Sequence, residues 1–468
     1  MARYLLGIDA GTGSVRALLV EVETGQTITA CRKWKPRPSP EGLWAYDLDP
    51  ESAWACIVEV VREALRKANA SPSEVLGIAA TSMRHTLVLI RNGETVFAVP
   101  NMDARAVAES MEIAAERGEA IYQQTGRWPS PNFMFPRLRW LLSYHPEILR
   151  DATALTLGDW IAYRLCGEKA TDFSHAGESM LLDIHKREWI EGLVAELGLP
   201  LSLLPPIIPS GTILGRLTQP AAEALGLVPG TPVAVGGADT QCALLALGML
   251  RHGEVAIVSG TTAPLQGVAE QPVLEPEGRL WTGLHTFPGR WVVESGAGPL
   301  GEALEWFAKL LFPDSPQPVA RFIAEAKQAK PGSGGAISAF GVQIFNAKAM
   351  VFPAGAISTS HFLREAPRPA LCRAILEGMA FAIRANLEQI AQVLGHPPRI
   401  AMTGGITRSP FWAQLVASVL GRPIEISLTP EATALGAAIC AGVAAGVFKG
   451  LEEGVERLAR VQLVHPDE

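Results

Sequence analysis

The chain has 468 residues, of which 48% are hydrophobic and 19% are charged, and its formal net charge is −7. This length is too great for one hydrophobic core, so we expect two domains of roughly 200–250 residues. The acidic balance, without a basic cluster, argues against nucleic acid and an anionic membrane as partners. The N-terminus lacks the pattern of a signal peptide, and the six cysteines show no metal-ligand spacing. We therefore predict a cytoplasmic protein with buried, unpaired cysteines.

An apolar strand, Tyr4–Asp9, opens the chain and runs into a Gly-Thr-Gly-Ser stretch at residues 11–14. A second strand, Val15–Val22, follows at once, whereas the glycine-rich turn of a dinucleotide-binding fold is followed by a helix. The Gly-Thr-Gly-Ser stretch is therefore predicted to be a hairpin turn whose backbone amides face a ligand.

Hydrophobic periodicity predicts further helices and strands along the rest of the chain. Helices are predicted over Ser52–Ala70, Ala104–Glu116, Leu138–Tyr144, Leu157–Cys166, Arg187–Leu197, Gln219–Leu225, Pro299–Leu311, Arg373–Leu394 and Pro410–Leu420, and strands over Val75–Ala80, Leu87–Ile90, Pro232–Gly236, Glu254–Ser259, Gly289–Glu294 and Arg399–Met402. The uncharged stretch Ala432–Phe448 is too short to span a membrane and is predicted to be a helix packed inside the protein. Strands followed by helices, twice over, predict two α/β domains, which we place at residues 1–247 and 248–468.

One carboxylate stands directly after a predicted strand near the middle of the chain. A β-branched run ends at Gly236-Gly237, and Asp239 follows two residues later. Because glycine permits close backbone approach, this pattern presents a carboxylate to a bound ligand. We interpret Asp239 as a catalytic base at the mouth of a cleft between the two domains.

Two other strand ends carry small and hydroxyl residues of the kind that bind phosphate. Phosphate oxygens need close N–H and hydroxyl donors, which Gly, Ser and Thr supply. Asp9 can hold Mg²⁺ through water, since this cation keeps several waters and takes few carboxylates. One such loop alone is typical of a tight turn, whereas two loops together favour a phosphate site. The loop residues are Gly11, Thr12, Gly13 and Ser14 near the N-terminus, and Gly260 and Thr261 in the second half.

Taken together, these stretches resemble the FGGY family of carbohydrate kinases. The resemblance rests on Gly7–Ala17, Phe135–Trp140, Gly158–Leu165, Gly236–Gln241, Ser259–Thr262, Met402–Gly405 and Glu431–Ala438, which occur in the family's order. It implies two actin-like (ribonuclease H-like) α/β domains with a ligand cleft between them. These domains would close on ATP, Mg²⁺ and a small sugar or polyol, with the acceptor and part of the phosphate site in the first domain and the nucleotide in the second.

The resemblance also implies a role for each candidate residue. Asp239 would accept the proton of the acceptor hydroxyl while the γ-phosphoryl group transfers in line, and Asp9 and Asp239 would hold the metal. ATP would contact Gly11, Thr12, Gly13, Ser14, Gly260, Thr261, Gly404, Gly405 and Ser409, and the acceptor would contact Arg84, His85, Asn101, Asp103, Asp239 and Gln241. Asp103 and Arg105 are alternatively a structural ion pair that fixes their loop.

The acceptor stays open at this point. The chain resembles autoinducer-2 kinases in several motifs but has His85 where they carry Glu, and it has Asn101 where xylulokinases usually carry Trp. We rank a linear ketose-like acceptor of the autoinducer-2 type first, then a pentulose such as xylulose, then another polyol or a sugar acid. A homodimer is the predicted assembly. The alternative function is a non-catalytic, actin-like sugar-sensing protein that binds ATP; such a protein would be expected to have lost Asp239 or the phosphate-site threonines.

Overall fold

A computed structural model describes residues 2–349, 356–358 and 368–467. The chain divides into two compact units, each built from helices and strands. The first unit comprises Met1–Leu250, Thr282–Trp291 and Glu431–Ala459, and the second comprises Arg251–Trp281, Val292–Pro430 and Arg460–Glu468. Two later segments therefore belong to the unit that contains the N-terminus. The assignment of acceptor and nucleotide binding to residues 1–247 and 248–468 stays a prediction.

The described residues form the following helices and strands. The helices are α1 Pro50–Ala68, α2 Val107–Thr125, α3 Met134–Tyr144, α4 Leu157–Cys166, α5 Phe173–Gly177, α6 Glu191–Glu196, α7 Gln219–Leu225, α8 Asp239–Ala246, α9 Leu300–Leu311, α10 Pro318–Ala326, α11 Arg368–Leu394, α12 Pro410–Leu420, α13 Ala432–Ala444 and α14 Leu451–Leu458. The strands are β1 Tyr4–Ala10, β2 Ser14–Glu21, β3 Thr27–Lys33, β4 Arg37–Pro38, β5 Tyr46–Asp47, β6 Val75–Ser82, β7 Leu87–Arg91, β8 Glu94–Val99, β9 Thr153–Leu155, β10 Leu182–Asp183, β11 Glu188–Trp189, β12 Ile213–Arg216, β13 Pro232–Ala238, β14 Val255–Val258, β15 Pro264–Ala269, β16 Trp281–Leu284, β17 Trp291–Gly296, β18 Ile337–Ser338, β19 Ile357–Ser358, β20 Ile400–Thr403, β21 Ile424–Ser427 and β22 Val461–Val464.

The first unit is built on a six-stranded sheet in the order β12-β13-β6-β1-β2-β3. Strands β1 and β2 pair antiparallel, with Asp9 opposite Arg16, so the predicted hairpin around the Gly-Thr-Gly-Ser stretch is confirmed. Strands β1, β6 and β13 run parallel to one another. Their carboxyl ends therefore lie side by side at one edge of the sheet, which is where open α/β sheets bind ligands.

The second unit repeats this arrangement with strands β17, β15, β14, β20, β21 and β22, in that order. Here β14, β20 and β21 run parallel, and β15 and β22 pair antiparallel with their neighbours β14 and β21. From β12 to β2 in the first sheet and from β22 to β15 in the second, the four pairings have the same succession: antiparallel, parallel, parallel and antiparallel. This shared succession indicates that the two units are built on the same plan.

Helix α13 packs against the first sheet through small residues. A Cβ atom at Gly7 of β1 would lie 1.9 Å from the carbonyl oxygen of Ala434, and one at Gly436 would lie 2.0 Å from that of Cys242 in α8. Residues of α13 share a buried apolar cluster with Leu5 and Leu18 of the sheet. The prediction of a helix packed inside the protein is confirmed.

Two sequence-based expectations are corrected by the structure. The helix predicted over Arg187–Leu197 begins only at Glu191, because Arg187 adopts a left-handed conformation (φ 61°) in the turn between β10 and β11. All six cysteines are free, but Cys31 is exposed, whereas it was expected to be buried. Across the described ranges, no helix combines the length and the apolarity needed to cross a bilayer.

Candidate functional site

Three neighbouring strand ends of the first unit bring the predicted base, metal ligand and acceptor residues together. Asp9 of β1 pairs with Thr81 of β6, and Thr81 pairs with Gly237 of β13. Arg84 follows the end of β6, and Asp239 follows the end of β13. The parallel register thus gathers residues that are more than 150 positions apart in the chain.

Close backbone approach at the end of β13 fixes the position of Asp239. A Cβ atom at Gly236 would lie 1.8 Å from the carbonyl oxygen of Ala80 in β6. The register of β13 against β6 shifts between Ala234 and Gly237, which is a β-bulge. Bulges commonly redirect a side chain beside a ligand site. Asp239 then opens helix α8, and its Oδ1 atom accepts a hydrogen bond from the backbone N–H of Thr240 at 2.7 Å.

The Asp239 carboxylate is partly exposed and stands beside a guanidinium group. Its Oδ1 atom lies 3.7 Å from Nε of Arg84, and 28% of its side-chain surface is exposed, against 10% for Arg84. Burial raises the pKa of Asp239 to about 6, while the charge of Arg84 acts in the opposite direction. The carboxylate is therefore ionised at neutral pH and has a basicity suited to proton acceptance.

Arg84 also contacts a buried carboxylate, Glu178, which the sequence analysis did not identify. Glu178 is 3% exposed, and its Oε1 atom accepts hydrogen bonds from Arg84 Nη1 at 3.2 Å, Arg127 Nη2 at 2.7 Å and Gln241 Nε2 at 3.2 Å. Its Oε2 atom lies 3.6 Å from His85 Nδ1. We call these five residues the Glu178 cluster. It brings together three of the predicted acceptor residues, namely Arg84, His85 and Gln241.

A second buried guanidinium holds the loops that carry His85 and Asp103. Arg137 is 1% exposed and donates hydrogen bonds to the carbonyl oxygens of His85, Pro100 and Asp103, the last two at 2.8 and 2.6 Å. Burial lowers the pKa of Arg137 to about 10. His85 itself has a positive φ of 58°, a left-handed conformation that is uncommon among non-glycine residues as a whole. Asp103 is fully buried and pairs with Arg105 at 2.8 Å, as in the structural alternative left open by the sequence.

Replacing Arg137 with Gln is expected to raise the KM for the acceptor about tenfold, which corresponds to about 1.4 kcal/mol. The change removes hydrogen bonds from a charged donor that fix both loops, whereas it touches none of the predicted ATP-contacting residues. Steady-state kinetics with each substrate varied in turn measure the effect. Arg139→Gln, in the same helix but in surface ion pairs with Glu112 and Glu116, is the matched control. An equal rise in the KM for ATP would contradict a local role in the acceptor loops.

The hairpin turn after β1 is linked to the loop that carries Asn101. The Gly11 N–H donates to the carbonyl oxygen of Ser14 at 3.0 Å, and Trp34 Nε1 donates to the Gly11 carbonyl oxygen at 2.7 Å. Asn101 Nδ2 donates to Thr12 Oγ1 at 2.9 Å. A predicted acceptor residue and a predicted phosphate residue are thus in direct contact. Gly13 at the tip of the turn is exposed, and Ser14 begins β2.

Asp9 lies in a group of acidic side chains with one cation between them. Arg16 is 3.5 Å from the Asp9 carboxylate and 2.8 Å from that of Glu431. Burial raises the pKa of Asp9 to about 7; Arg16 opposes this effect, and the charges of Asp239 and Glu431 reinforce it. Mutual repulsion among these carboxylates would be relieved by a divalent cation.

The predicted nucleotide residues of the second half lie on two neighbouring loops of the second unit. Ser259, at the end of β14, donates its N–H to the carbonyl oxygen of Thr403 in β20 at 2.7 Å. Gly404 has φ of 120°, and a Cβ atom there would lie 1.9 Å from the Ser259 carbonyl oxygen, so only glycine fits. Gly260, Thr261 and Gly405 are exposed, and Ser409 caps the N-terminus of α12.

Comparison with known proteins identifies the family. Residues 4–246 match the N-terminal domain, and residues 255–445 the C-terminal domain, of the FGGY family of carbohydrate kinases. The autoinducer-2 kinase of Escherichia coli strain K12 is 34% identical over 99% of this chain and 90% of that protein. The autoinducer-2 kinase of Yersinia pestis bv. Antiqua strain Angola is 33% identical over 98% of this chain and 89% of that protein. The crystal structure of xylulose kinase from Rhodospirillum rubrum is 28% identical with a TM-score of 0.83, covering 99% of this chain and 94% of that one.

These matches span both halves of the chain and confirm the predicted two-domain α/β kinase fold. They agree with the presence of one main sheet in each unit. They also agree with the order in which the Gly-rich strand ends occur along the chain. The chain belongs to the FGGY family of carbohydrate kinases and is an ATP-dependent phosphotransferase that acts on a carbohydrate hydroxyl group.

Proposed function

We propose that the chain phosphorylates a hydroxyl of a linear ketose-like acceptor of the autoinducer-2 type or of a pentulose such as xylulose. The printed names of its relatives, autoinducer-2 kinase and xylulose kinase, support these two acceptors. The observation that carries the proposal is the Asp239 carboxylate, 3.7 Å from Arg84 at the ends of adjacent parallel strands. An acceptor hydroxyl placed between these two side chains would contact both a proton-accepting carboxylate and a cationic hydrogen-bond donor.

In this proposal Asp239 accepts the hydroxyl proton during transfer, and Arg84 orients the acceptor. Enzymes accelerate phosphoryl transfer mainly by positioning the reactants and by electrostatic stabilisation. A base that is held in place after a bulged strand is well suited to this reaction. His85 and Asn101 contact the acceptor beside Arg84. Direct contacts from Asp103 and Gln241 are also proposed, although their observed hydrogen bonds to Arg105 and Glu178 equally support a positioning role.

The proposed nucleotide contacts lie on the Gly-rich turn after β1 in the first unit and on two loops of the second unit. Backbone N–H and hydroxyl groups at exposed strand ends are effective phosphate ligands. The proposed phosphate and nucleoside contacts are Gly11, Thr12, Gly13 and Ser14 in the first unit, and Gly260, Thr261, Gly404, Gly405 and Ser409 in the second.

The carboxylates near Asp9 fit Mg²⁺, which prefers hard oxygen ligands and retains much of its water. Asp9 and Asp239 would hold the ion, which would neutralise charge on the phosphates of ATP during transfer. Burial and the acidic neighbours of Asp9 raise its pKa, and the charge of Arg16 offsets part of this effect. A divalent cation at this position would offset it further.

Replacing Asp9 with Asn is expected to raise the Mg²⁺ concentration for half-maximal rate about 10–100-fold, because one anionic oxygen near the ion is lost. Initial rates over a range of Mg²⁺ concentrations at saturating ATP and acceptor measure this change. Asp314→Asn, in an exposed loop, is the control and should match the unmodified protein. An unchanged Mg²⁺ requirement in the Asp9 variant would exclude Asp9 from the metal site.

The proposed acceptor is tested by ADP release from the purified protein with ATP and Mg²⁺. The acceptors are dihydroxypentanedione, xylulose, ribulose, erythritol, glycerol and gluconate, each compared with no acceptor. A large rise with the first or second supports the proposal, and a rise only with another acceptor reassigns it. Flat rates with ATP still bound would favour a sugar-sensing protein. The cytoplasmic location and the homodimer belong to the proposal and are tested by fractionation and light scattering.

A further inference from the structure

The residue directly before Asp239 is held by a side chain from another part of the first unit. Ala238 ends strand β13 and is fully buried, and its backbone N–H donates a hydrogen bond to Ser174 Oγ at 2.9 Å. Strand β12 pairs with the opening residues of β13, Pro232–Ala234. Ser174 therefore holds the far end of β13, beyond its pairing with β12.

The hydroxyl proton of Ser174 is committed to a buried carboxylate. Ser174 Oγ donates to Oδ2 of Asp172, and the same oxygen accepts the Ser174 N–H at 2.7 Å. Both side chains are fully buried. Because the hydroxyl donates to a carboxylate, its oxygen is left as an acceptor for the Ala238 N–H and is polarised towards it.

The Asp172 carboxylate is charged and is held from several sides. His175 Nδ1 donates to its Oδ1 atom at 2.8 Å, and Ser210 Oγ donates to its Oδ2 atom at 3.3 Å. Burial opposes protonation of the imidazole, but the bond to Asp172 and the charges of Asp159 and Asp239 raise its pKa to about 9. Burial also opposes ionisation of Asp172, yet the imidazolium lowers the pKa of this carboxyl. The two groups therefore form an ion pair at neutral pH.

The backbone that carries Asp172 is itself anchored. The preceding residue, Thr171, donates its N–H to the carbonyl oxygen of Pro206 at 3.0 Å and accepts the N–H of Ile208 at 2.8 Å. Asp172 then caps the start of α5 with its side chain. A continuous series of hydrogen bonds thus runs from an anchored segment to the residue before the proposed base.

We propose that Asp172 and Ser174 are positioning residues for phosphoryl transfer, which hold the Ala238 N–H and thereby fix the direction of the Asp239 carboxylate. The turn from β13 into α8 aims this carboxylate, and a base that is displaced from its productive geometry accepts the hydroxyl proton less effectively. The inference rests on the proposed function, because that function assigns Asp239 as the base.

The test compares Ser174→Ala with Ser174→Thr, which keeps a hydroxyl at the same position. ADP formation is measured with the acceptor that gives the unmodified protein its highest rate. We expect Ser174→Ala to lower kcat about tenfold, while the KM for the acceptor and the dissociation constant for ATP stay within about twofold. Ser174→Thr should recover most of the lost rate. An unchanged kcat in Ser174→Ala would overturn the inference.

A double-mutant cycle with Asp239→Asn separates positioning from a general loss of structure. If Ser174 acts through Asp239, Ser174→Ala should lower kcat by less than about twofold in the Asp239→Asn background, because no base remains to be positioned. An equal loss in both backgrounds would show a merely structural role. Should Ser174→Ala not fold, Ser174→Cys takes its place in the cycle, since a thiol is a weaker hydrogen-bonding group than a hydroxyl.

Ser110→Ala is the matched control. Ser110 is 1% exposed, and its hydroxyl donates to the Val107 carbonyl oxygen within α2 at 2.9 Å. The substitution removes a buried hydroxyl of the same unit that is not bonded to β13, so kcat should be unchanged. If Asp239→Asn itself left the rate unchanged, the proposed base would be wrong. If Asp239→Asn lost activity and Ser174→Ala did not, the present inference alone would fail.

Discussion

Asp239→Asn is expected to lower acceptor-dependent ADP formation by about 10²–10⁴-fold, the contribution typical of a general base. Asn retains an oxygen that can accept the hydrogen bond from the Thr240 N–H, so the start of α8 should be preserved. Arg84 keeps its contact with Glu178 and stays in place. The loss should therefore appear in kcat, whereas the dissociation constant for ATP, measured by titration, should change little.

Asp151→Asn provides the matched control for this substitution. Asp151 is exposed and has φ of 53°, a conformation that Asn adopts readily, and activity should be unchanged. Comparable losses of turnover and of ATP binding in the Asp239 variant would show that Asp239 is a structural residue and not the base.

Gly236→Ala is expected to destabilise the first unit by about 3 kcal/mol or more, as overpacking a tightly fitted position does. The added methyl group would lie 1.8 Å from a backbone oxygen of β6, which cannot rotate away as a side chain can. Strands β6 and β13 would have to separate, which would disturb the 2.6 Å hydrogen bond from Thr81 Oγ1 to the Gly237 carbonyl oxygen. We expect the apparent melting temperature to fall by about 6–12 °C and activity to fall with it.

The control for this effect is Gly192→Ala. Gly192 lies in helix α6, and a Cβ atom there would meet nothing within 4 Å beyond its chain neighbours and the backbone of its own helix, so alanine should be neutral or slightly stabilising. If the Gly236→Ala variant had the same melting temperature as the unmodified protein, β13 would tolerate displacement. The position of Asp239 would then have to be fixed by other contacts.

The local pattern of the sequence predicted most of the elements that position the site. Helix α4, Leu157–Cys166, begins and ends as predicted, because Thr156 caps its start and Gly167 its end. Helix α1 begins two residues earlier than predicted, because Asp49 caps it and Pro50 fits its first turn. The β1–β2 hairpin followed from strand character on both sides of a Gly-rich turn. These signals lie within a few residues of one another.

The Glu178 cluster could not be predicted in this way. Glu178 follows a five-residue helix and belongs to no recognisable motif, and Arg127 stands in an ordinary Gly-Arg-Trp stretch. Their pairing depends on backbone room created by Gly283, which is more than 150 positions away from Arg127. The sequence shows each residue, but only the tertiary fold shows that their charges meet. Arg137 is similar: it lies within the Phe135–Trp140 stretch of the family resemblance, whereas its carbonyl partners became clear only from the structure.

The return of Glu431–Ala459 to the first unit has a consequence for synthesis on the ribosome. Helix α13 covers β1 with residues made near the end of translation, and Glu431 reaches Arg16 beside Asp9. In the nascent chain, the apolar face around Leu5 and Leu18 therefore lacks its contact with α13 until more than 400 residues have been polymerised. At about 5–20 residues per second, the roughly 185 residues between the end of the first half and the start of α13 take on the order of 10–40 seconds to synthesise, and during that time a chaperone or a transient contact would protect the face.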